Sequence, residues 1–367
     1  MLKIVHTADL HLDSAFEGFG GDQARVLAHR QAFRDNLFSI VSYAQDIGAH
    51  LLLIAGDILD GDSFAYETQE ALTHALRAFS GRVAIVLGNH DGGFRKNGLP
   101  PLPDNVTVFS GRSITQLELP EHNAVLYGAS FDTQYCEKSL LSGFCAADDG
   151  RLHIMLMHGE VRTGSLYNPI TVEDIANSGL TYLALGHEHS FSGFKKAGKT
   201  TYACPGCPQG RGFDETGQKG FIAGEICAET CNLSFVPLER PQYFDIQLDI
   251  SDLPLDAIAQ KLREMAQQPE IARGVVRVRL SGERIEPIDP ELLHSKSSDA
   301  FDALTIKDAS FEKRALWAGL HQDTLEGVFL TKMRTLYDST SDAQQRRQLE
   351  LAVRFALSAM EGRENPL

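Results

Sequence analysis

The chain has 367 residues, which suits one large domain with an appendage, or two to three domains with ample core to bury. Its 34 basic residues face 49 acidic ones, a net charge of −15. This excludes attachment to nucleic acid by bulk electrostatics, because nonspecific DNA binding rests on Lys and Arg neutralising phosphates. Any phosphate affinity must be local, supplied by bound cations or a small basic patch. No apolar run reaches the roughly 18 residues of a membrane span. The N-terminus leads straight into an apolar run with no room for a signal peptide, so the cytoplasm is the expected compartment.

Short apolar runs closed by metal-ligand residue types recur along the first half. Lys3-Ile4-Val5 leads through His6-Thr7-Ala8 to Asp9-Leu10-His11. Leu51-Leu52-Leu53-Ile54-Ala55 ends in Gly56-Asp57, and Val83-Ala84-Ile85-Val86-Leu87 ends in Gly88-Asn89-His90-Asp91. Ile154-Met155-Leu156-Met157 ends in His158-Gly159, and Tyr182-Leu183-Ala184-Leu185 ends in Gly186-His187-Glu188-His189. Such runs read as strands buried on both faces, and ligand types at their carboxyl ends converge on one crevice at the sheet edge. Helical spacing appears over residues 23–48, through Phe33, Leu37, Ile40, Val41 and Ala44, and again over 66–79. The alternation predicts a layered α/β core over residues 1–240.

The pattern changes near Pro237–Pro241. Residues 243–250 alternate Phe244, Ile246, Leu248 and Ile250 with polar partners; 255–266 reads as a helix and 275–280 as another alternating strand. This predicts a small α+β appendage over 241–310. The segment 311–367 is expected to be helical, with a stripe of Leu349, Val353, Ala356, Leu357 and Met360 behind Ser339-Thr340-Ser341-Asp342. Among the six cysteines, Cys204-x-x-Cys207 and Cys227-x-x-x-Cys231 carry the outline of a zinc knuckle. Cys204 and Cys207 flank Pro205-Gly206 and Cys227 closes an apolar run, so ordinary reduced cysteines are the favoured reading.

A two-metal phosphoryl-transfer site needs an anionic bridge, neutral nitrogen ligands and open positions. Asp57, on a tight Gly turn, is the best bridge. Asp9 with His11, and His187 with His189, stand at i and i+2 and share a side if the chain is extended. Asn89 adds an amide oxygen and His158 another imidazole. Two carboxylates, one amide and four imidazoles without a thiolate suit manganese, iron or zinc better than calcium or magnesium. His90, oriented by a carboxylate such as the following Asp91, is a reasonable general acid. A lone loop histidine is usually no ligand, and His6, His29, His50, His74, His122, His153, His294 and His321 are read as surface or core filler.

Taken in order, these five motifs resemble those of the calcineurin-like metallophosphoesterases. The opening His6-Thr7-Ala8-Asp9-Leu10-His11-Leu12-Asp13 is similar to SbcD/Mre-type DNA-repair nucleases, and residues 207–215 to their YhaO branch. The resemblance covers residues 1 to about 225. It implies a four-layered α/β/β/α sandwich, a small capping domain, and a C-terminal helical segment that docks on an SMC-like coiled-coil ATPase. It also implies two divalent ions, most often manganese. The first would be held by Asp9, His11, Asp57 and His189, the second by Asp57, Asn89, His158 and His187. A bridging hydroxide would attack phosphorus of a DNA substrate, with His90 protonating the departing oxygen; homodimerisation is also expected. The motifs alone equally permit a small phosphodiester or a phosphoprotein as substrate. Two departures stand out: Leu87 where the family commonly has Pro, and Cys207 where Ser is usual. Arg211 and Lys219, in the stretch 206–220, and Arg95 with Lys96 are candidate phosphate contacts; the alternative for 206–220 is a plain hairpin between neighbouring strands.

Overall fold

The computed structural model describes residues 1–15, 23–228, 230–284, 286–312, 316–317, 320 and 323–360; His321 lies outside the described residues. The chain divides into two compact units, Met1–Phe244 and Asp245–Leu367.

The first unit is a sandwich of two six-stranded sheets. One contains β1 (Leu2–Thr7), β2 (Leu51–Ala55), β3 (Arg82–Val86) and β4 (Val106–Phe109), all parallel. The other contains β5 (Thr115–Leu119), β6 (Ala124–Ala129), β7 (Leu152–His158), β8 (Tyr182–Gly186), β9 (Lys195–Ala197) and β10 (Thr200–Ala203). Antiparallel β11 (Gly220–Ile226) and β12 (Cys231–Pro237) complete the first sheet beside β1. The stretch between β10 and β11 therefore crosses from one sheet to the other, and the alternative of a plain hairpin there is not what forms.

The strands with uninterrupted apolar runs are those buried on both faces. Leu51, Leu53, Ile154, Leu156 and Ala184 pack in the seam between the sheets. On the outer face of the first sheet, Leu52, Ile54, Val83 and Ile85 meet α1 (Gln23–Asp46) and α2 (Tyr66–Ala78) through Phe33, Leu37, Ile40, Leu72 and Leu76. Each such side chain contributes about 1.5–3 kcal/mol by leaving water. The fourth layer is thin: Leu141, Ile170, Ile175 and Leu180 cover the second sheet, from loops and the short helix Val172–Asn177. His6 is the polar tie across the seam. Its Nε2 donates to the Leu185 carbonyl at 3.0 Å, and its Nδ1 accepts from the Tyr182 hydroxyl at 2.9 Å.

In the second unit, strands Tyr243–Asp249, Val275–Ser281 and Ala303–Asp308 form one sheet, with helices Leu255–Met265 and Pro290–Ser297. Helices Leu325–Ser339 and Ala343–Met360 follow. Val353 and Leu357 of the C-terminal stripe are buried with Leu330, so part of that stripe packs on its own protein. No described helix is long and apolar enough to cross a membrane.

Candidate metal centre

Parallel strands deliver their carboxyl ends to one edge, and the residues just beyond those ends gather there. Asp9 and His11 follow β1, Asp57 follows β2, Asn89 follows β3, His158 closes β7, and His187 and His189 follow β8. The chain is not extended at these positions, contrary to the i, i+2 expectation. Asp9 (φ 52°), His11 (φ 45°), Asp57 (φ 51°) and His187 (φ 95°) all adopt positive φ. Such conformations cost on the order of 1–3 kcal/mol each for a non-glycine residue and persist only where the surroundings enforce them. Backbone pairing supplies part of that enforcement, with the Asp9 amide donating to the Gly56 carbonyl and the His11 amide to the Asp57 carbonyl. Two motif glycines are demanded by space. A Cβ on Gly88 would lie 2.2 Å from Asp57 Oδ1, and one on Gly56 would lie 2.5 Å from His158 Nδ1.

Ring protonation around Asn89 follows from the hydrogen bonds. His158 Nδ1 lies 2.8 Å from the Ala55 carbonyl oxygen, which only accepts, so Nδ1 carries the proton of the neutral ring. Its bare Nε2 then faces Asn89 Oδ1 at 3.0 Å and Asp57 Oδ2 at 3.3 Å. His187 Nε2 meets the Glu160 carboxylate at 2.8 Å, which leaves Nδ1 bare, 3.1 Å from Asn89 Oδ1 and 3.2 Å from His158 Nε2. Asp57 Oδ1 accepts from the His90 amide, whereas Oδ2 is buried with no hydrogen-bond partner among the described residues. Four lone-pair donors thus point at one another, an arrangement that fits a cation between them. Without one, burial opposes a charged His158, yet the Asp57 carboxylate outweighs it, aided by Asp9, and pushes the ring up to about 9.

The other half is built from Asp9, His11 and His189, whose donor atoms lie within 4.8 Å of one another. His189 Nδ1 faces Glu215 Oε1 at 2.8 Å, and its Nε2 is 3.0 Å from His11 Nε2. The His187 amide donates to both oxygens of Asp9, and burial pushes that carboxyl up to about 7. Burial likewise drives His11 down to about 3, so its ring is neutral and able to donate a lone pair. Every residue named from sequence as a metal ligand is therefore present at this one edge.

His90 stands at the rim, its side chain 40% exposed. Its orienting carboxylate is Asp60 rather than Asp91: His90 Nδ1 lies 2.9 Å from Asp60 Oδ1. Asp91 is fully buried and turned inward, accepting from the amides of Leu59 at 2.9 Å and Gly88 at 2.8 Å. Residue 91 begins the helix Gly92–Asn97 as its N-cap, which carries its side chain behind the loop and away from the ring. The hydrogen bond that the His90 ring donates to Asp60 raises the His90 pKa above its ordinary value.

Asp60, Glu160 and Glu215 were given no site role from the sequence, although Glu215 closes the motif 207–215. The available signals were slight: Asp60 follows Asp57 by three residues, and Glu160 follows His158 by two. The candidate phosphate contacts are engaged within the protein. Arg95 donates to the carbonyls of Gly88 and Asn89, the buried Lys219 to the His189 carbonyl, and Arg211 to Asp60 and Glu215. Lys96 is exposed, 3.9 Å from Asp62. The cysteines are free thiols, and no metal-binding cluster among the described residues includes one.

A sandwich that collects histidine and carboxylate donors at one edge has the build of a metallohydrolase. Residues 2–191 match the calcineurin-like phosphoesterases, and the chain belongs to that family. The family is dimetal-dependent, in keeping with the donors gathered at this edge. The chain is 29% identical over 238 residues to the uncharacterized metallophosphoesterase YhaO of Bacillus subtilis, a match covering 60% of this chain and 56% of that protein. The chain thus spans little more than half the length of that relative. Among solved structures, a dimetal phosphatase from Danio rerio aligns at 11% identity and a TM-score of 0.40, over 60% of this chain and 91% of the other.

Proposed function

We propose that the chain is a two-metal phosphodiesterase acting on DNA, an exonuclease or endonuclease of DNA repair. The observation that carries the hydrolytic part is the set of bare donors around Asp57, with His90 at the open rim beside them. Asp9, His11, Asp57 and His189 would hold one ion, and Asp57, Asn89, His158 and His187 the other. Nitrogen and oxygen donors without thiolate suit manganese, with iron and zinc the nearest competitors. When bound, two such ions supply Lewis acidity and a nucleophile at neutral pH. Glu160, Glu215 and the Ala55 carbonyl keep the rings turned with their bare nitrogens inward. His90, held by Asp60, donates its proton to the departing oxygen.

DNA as the substrate is supported by the SbcD-like opening motif and by a second unit of strands and helices after the phosphoesterase core. Residues 241–310 would act as a capping domain, and 311–367 would dock on an SMC-like coiled-coil ATPase; the active form would be a homodimer. With a net charge of −15, DNA is engaged through cations and the partner, not through the bulk surface.

The test is digestion of an end-labelled blunt duplex in Mn²⁺, with Asp57→Asn and chelator controls. Digestion by the wild type alone, abolished by chelator, supports the nuclease. Cleavage of an aryl phosphodiester with the duplex left intact, even with the ATPase added, would move the substrate to a small phosphodiester or a phosphoprotein.

A further inference from the structure

Arg211 stands between two carboxylates, one paired with His90 at the rim and the other with the His189 ring of the metal centre. Its Nη1 donates to Asp60 Oδ2 at 3.0 Å, and its Nε and Nη2 donate to Glu215 Oε1 at 3.0 and 2.6 Å. Its backbone amide donates to Glu215 Oε2 at 2.8 Å. Beyond these bonds, Asp60 Oδ1 reaches His90 Nδ1 at 2.9 Å, and Glu215 Oε1 reaches His189 Nδ1 at 2.8 Å. A continuous series of contacts therefore runs His90–Asp60–Arg211–Glu215–His189, drawn from the loops that follow β2, β3, β8 and β10.

We propose that Arg211 is a positioning residue for His90, fixing the proton donor relative to the metal centre by bridging Asp60 and Glu215. The role rests on the phosphodiesterase reading above. A planar guanidinium can satisfy two carboxylates in fixed directions at once, which an ammonium on a flexible stem does not reproduce. Asp60 Oδ2 has one other described anchor, the Ser14 hydroxyl at 2.7 Å. With both holding that oxygen, Oδ1 is presented in one direction. Without the guanidinium, the two neighbouring carboxylates lose the cation between them, and the half-exposed ring of His90 loses its alignment. The direction of the Arg211 guanidinium is set within the protein, because Nε, Nη1 and Nη2 each already donate to a carboxylate.

The experiment compares two esters of thymidine 5′-phosphate, one with p-nitrophenol and one with phenol. The nitrophenolate leaves without help, whereas the more basic phenolate gains from a proton donor. In Arg211→Met we expect kcat on the phenyl ester to fall about tenfold or more, a fraction of what general acid catalysis supplies. KM and bound Mn²⁺ should be unchanged, and the nitrophenyl ester should be cleaved at close to the wild-type rate. Arg211→Lys should rescue little. Should the Met variant not fold, as checked by circular dichroism, Arg211→Gln takes its place. Equal loss on both esters, a raised KM at unchanged kcat, or loss of metal would overturn the role. A wild type inert on both esters with metal bound would instead remove the phosphodiesterase reading, and this role with it.

Discussion

Glu160 Oε1 lies 2.8 Å from His187 Nε2, and that contact decides which nitrogen of His187 faces Asn89 and His158. The Tyr167 ring packs on the same imidazole at 4.7 Å, restricting its tilt. Removing the carboxylate in Glu160→Ala should leave the fold intact and weaken metal retention about 10–100-fold, as expected for a partner behind a ligand. Metal content after dialysis against graded chelator checks this. Wild-type retention would mean that Tyr167 and packing alone orient the ring.

Asp57 Oδ2 is buried with no hydrogen-bond partner among the described residues, and in the unliganded centre only a buried, protonated His158 ring 3.3 Å away offsets its charge, a role that metal takes over. Mn²⁺ at a hundred times its dissociation constant should add about 2.7 kcal/mol to stability. A thermal melt would register this as a rise in Tm that chelator reverses. In Asp57→Asn the rise should disappear. A shift that survives the substitution would place the stabilising ion elsewhere.

Asp91 should matter to folding more than to chemistry. In Asp91→Ala two buried amides, of Leu59 and Gly88, lose their acceptor, a cost of about 2–6 kcal/mol at typical values for unsatisfied groups. Urea unfolding should show that loss, whereas Asp60→Asn should depress turnover with a far smaller change in stability. Full stability with abolished turnover in Asp91→Ala would return Asp91 to the role of His90's partner.

His6 makes acid stability predictable in sign. Burial drives its pKa down to about 3, against an ordinary value of 6.5. Below pH 6.5 the unfolded chain takes up a proton that the folded seam refuses. The stabilisation is therefore whole above pH 6.5 and is lost as the pH falls toward 3, by up to about 1.4 kcal/mol per pH unit. His6→Gln, which has no proton to gain, should flatten that slope when unfolding free energy is measured from pH 7 to 4. An unchanged slope would assign the acid sensitivity to other groups.

The strands and the inward-facing donors were legible because they obey strong local patterns. An uninterrupted run such as Leu51–Ala55 reads as a strand buried on both faces, as strands of parallel sheets are, and Gly56-Asp57 marks its end. The outer partners were not legible: Asp60, Glu160 and Glu215 are single acids in loops, and no periodicity distinguishes them from solvated ones. The extended geometry assumed for Asp9 and His11 failed for a related reason. Positive φ at non-glycine residues is imposed by tertiary contacts such as the Asp9 amide to the Gly56 carbonyl. The crossing between β10 and β11 was missed because two apolar strands with a glycine-rich stretch between them look alike whether they pair or part.

Asp9, His11, Asp57 and Asn89 hang from the first sheet, whereas His158, His187 and His189 hang from the second. Neither sheet carries a complete donor set, so the centre exists only while the two are in register. It works as a clasp at the open end of the seam, and a slip of one sheet along the other by a single residue, about 3.3 Å, would pull it apart. Substitutions deep in the seam, at Leu53 or Leu156, can therefore undo the centre without touching any of its donors.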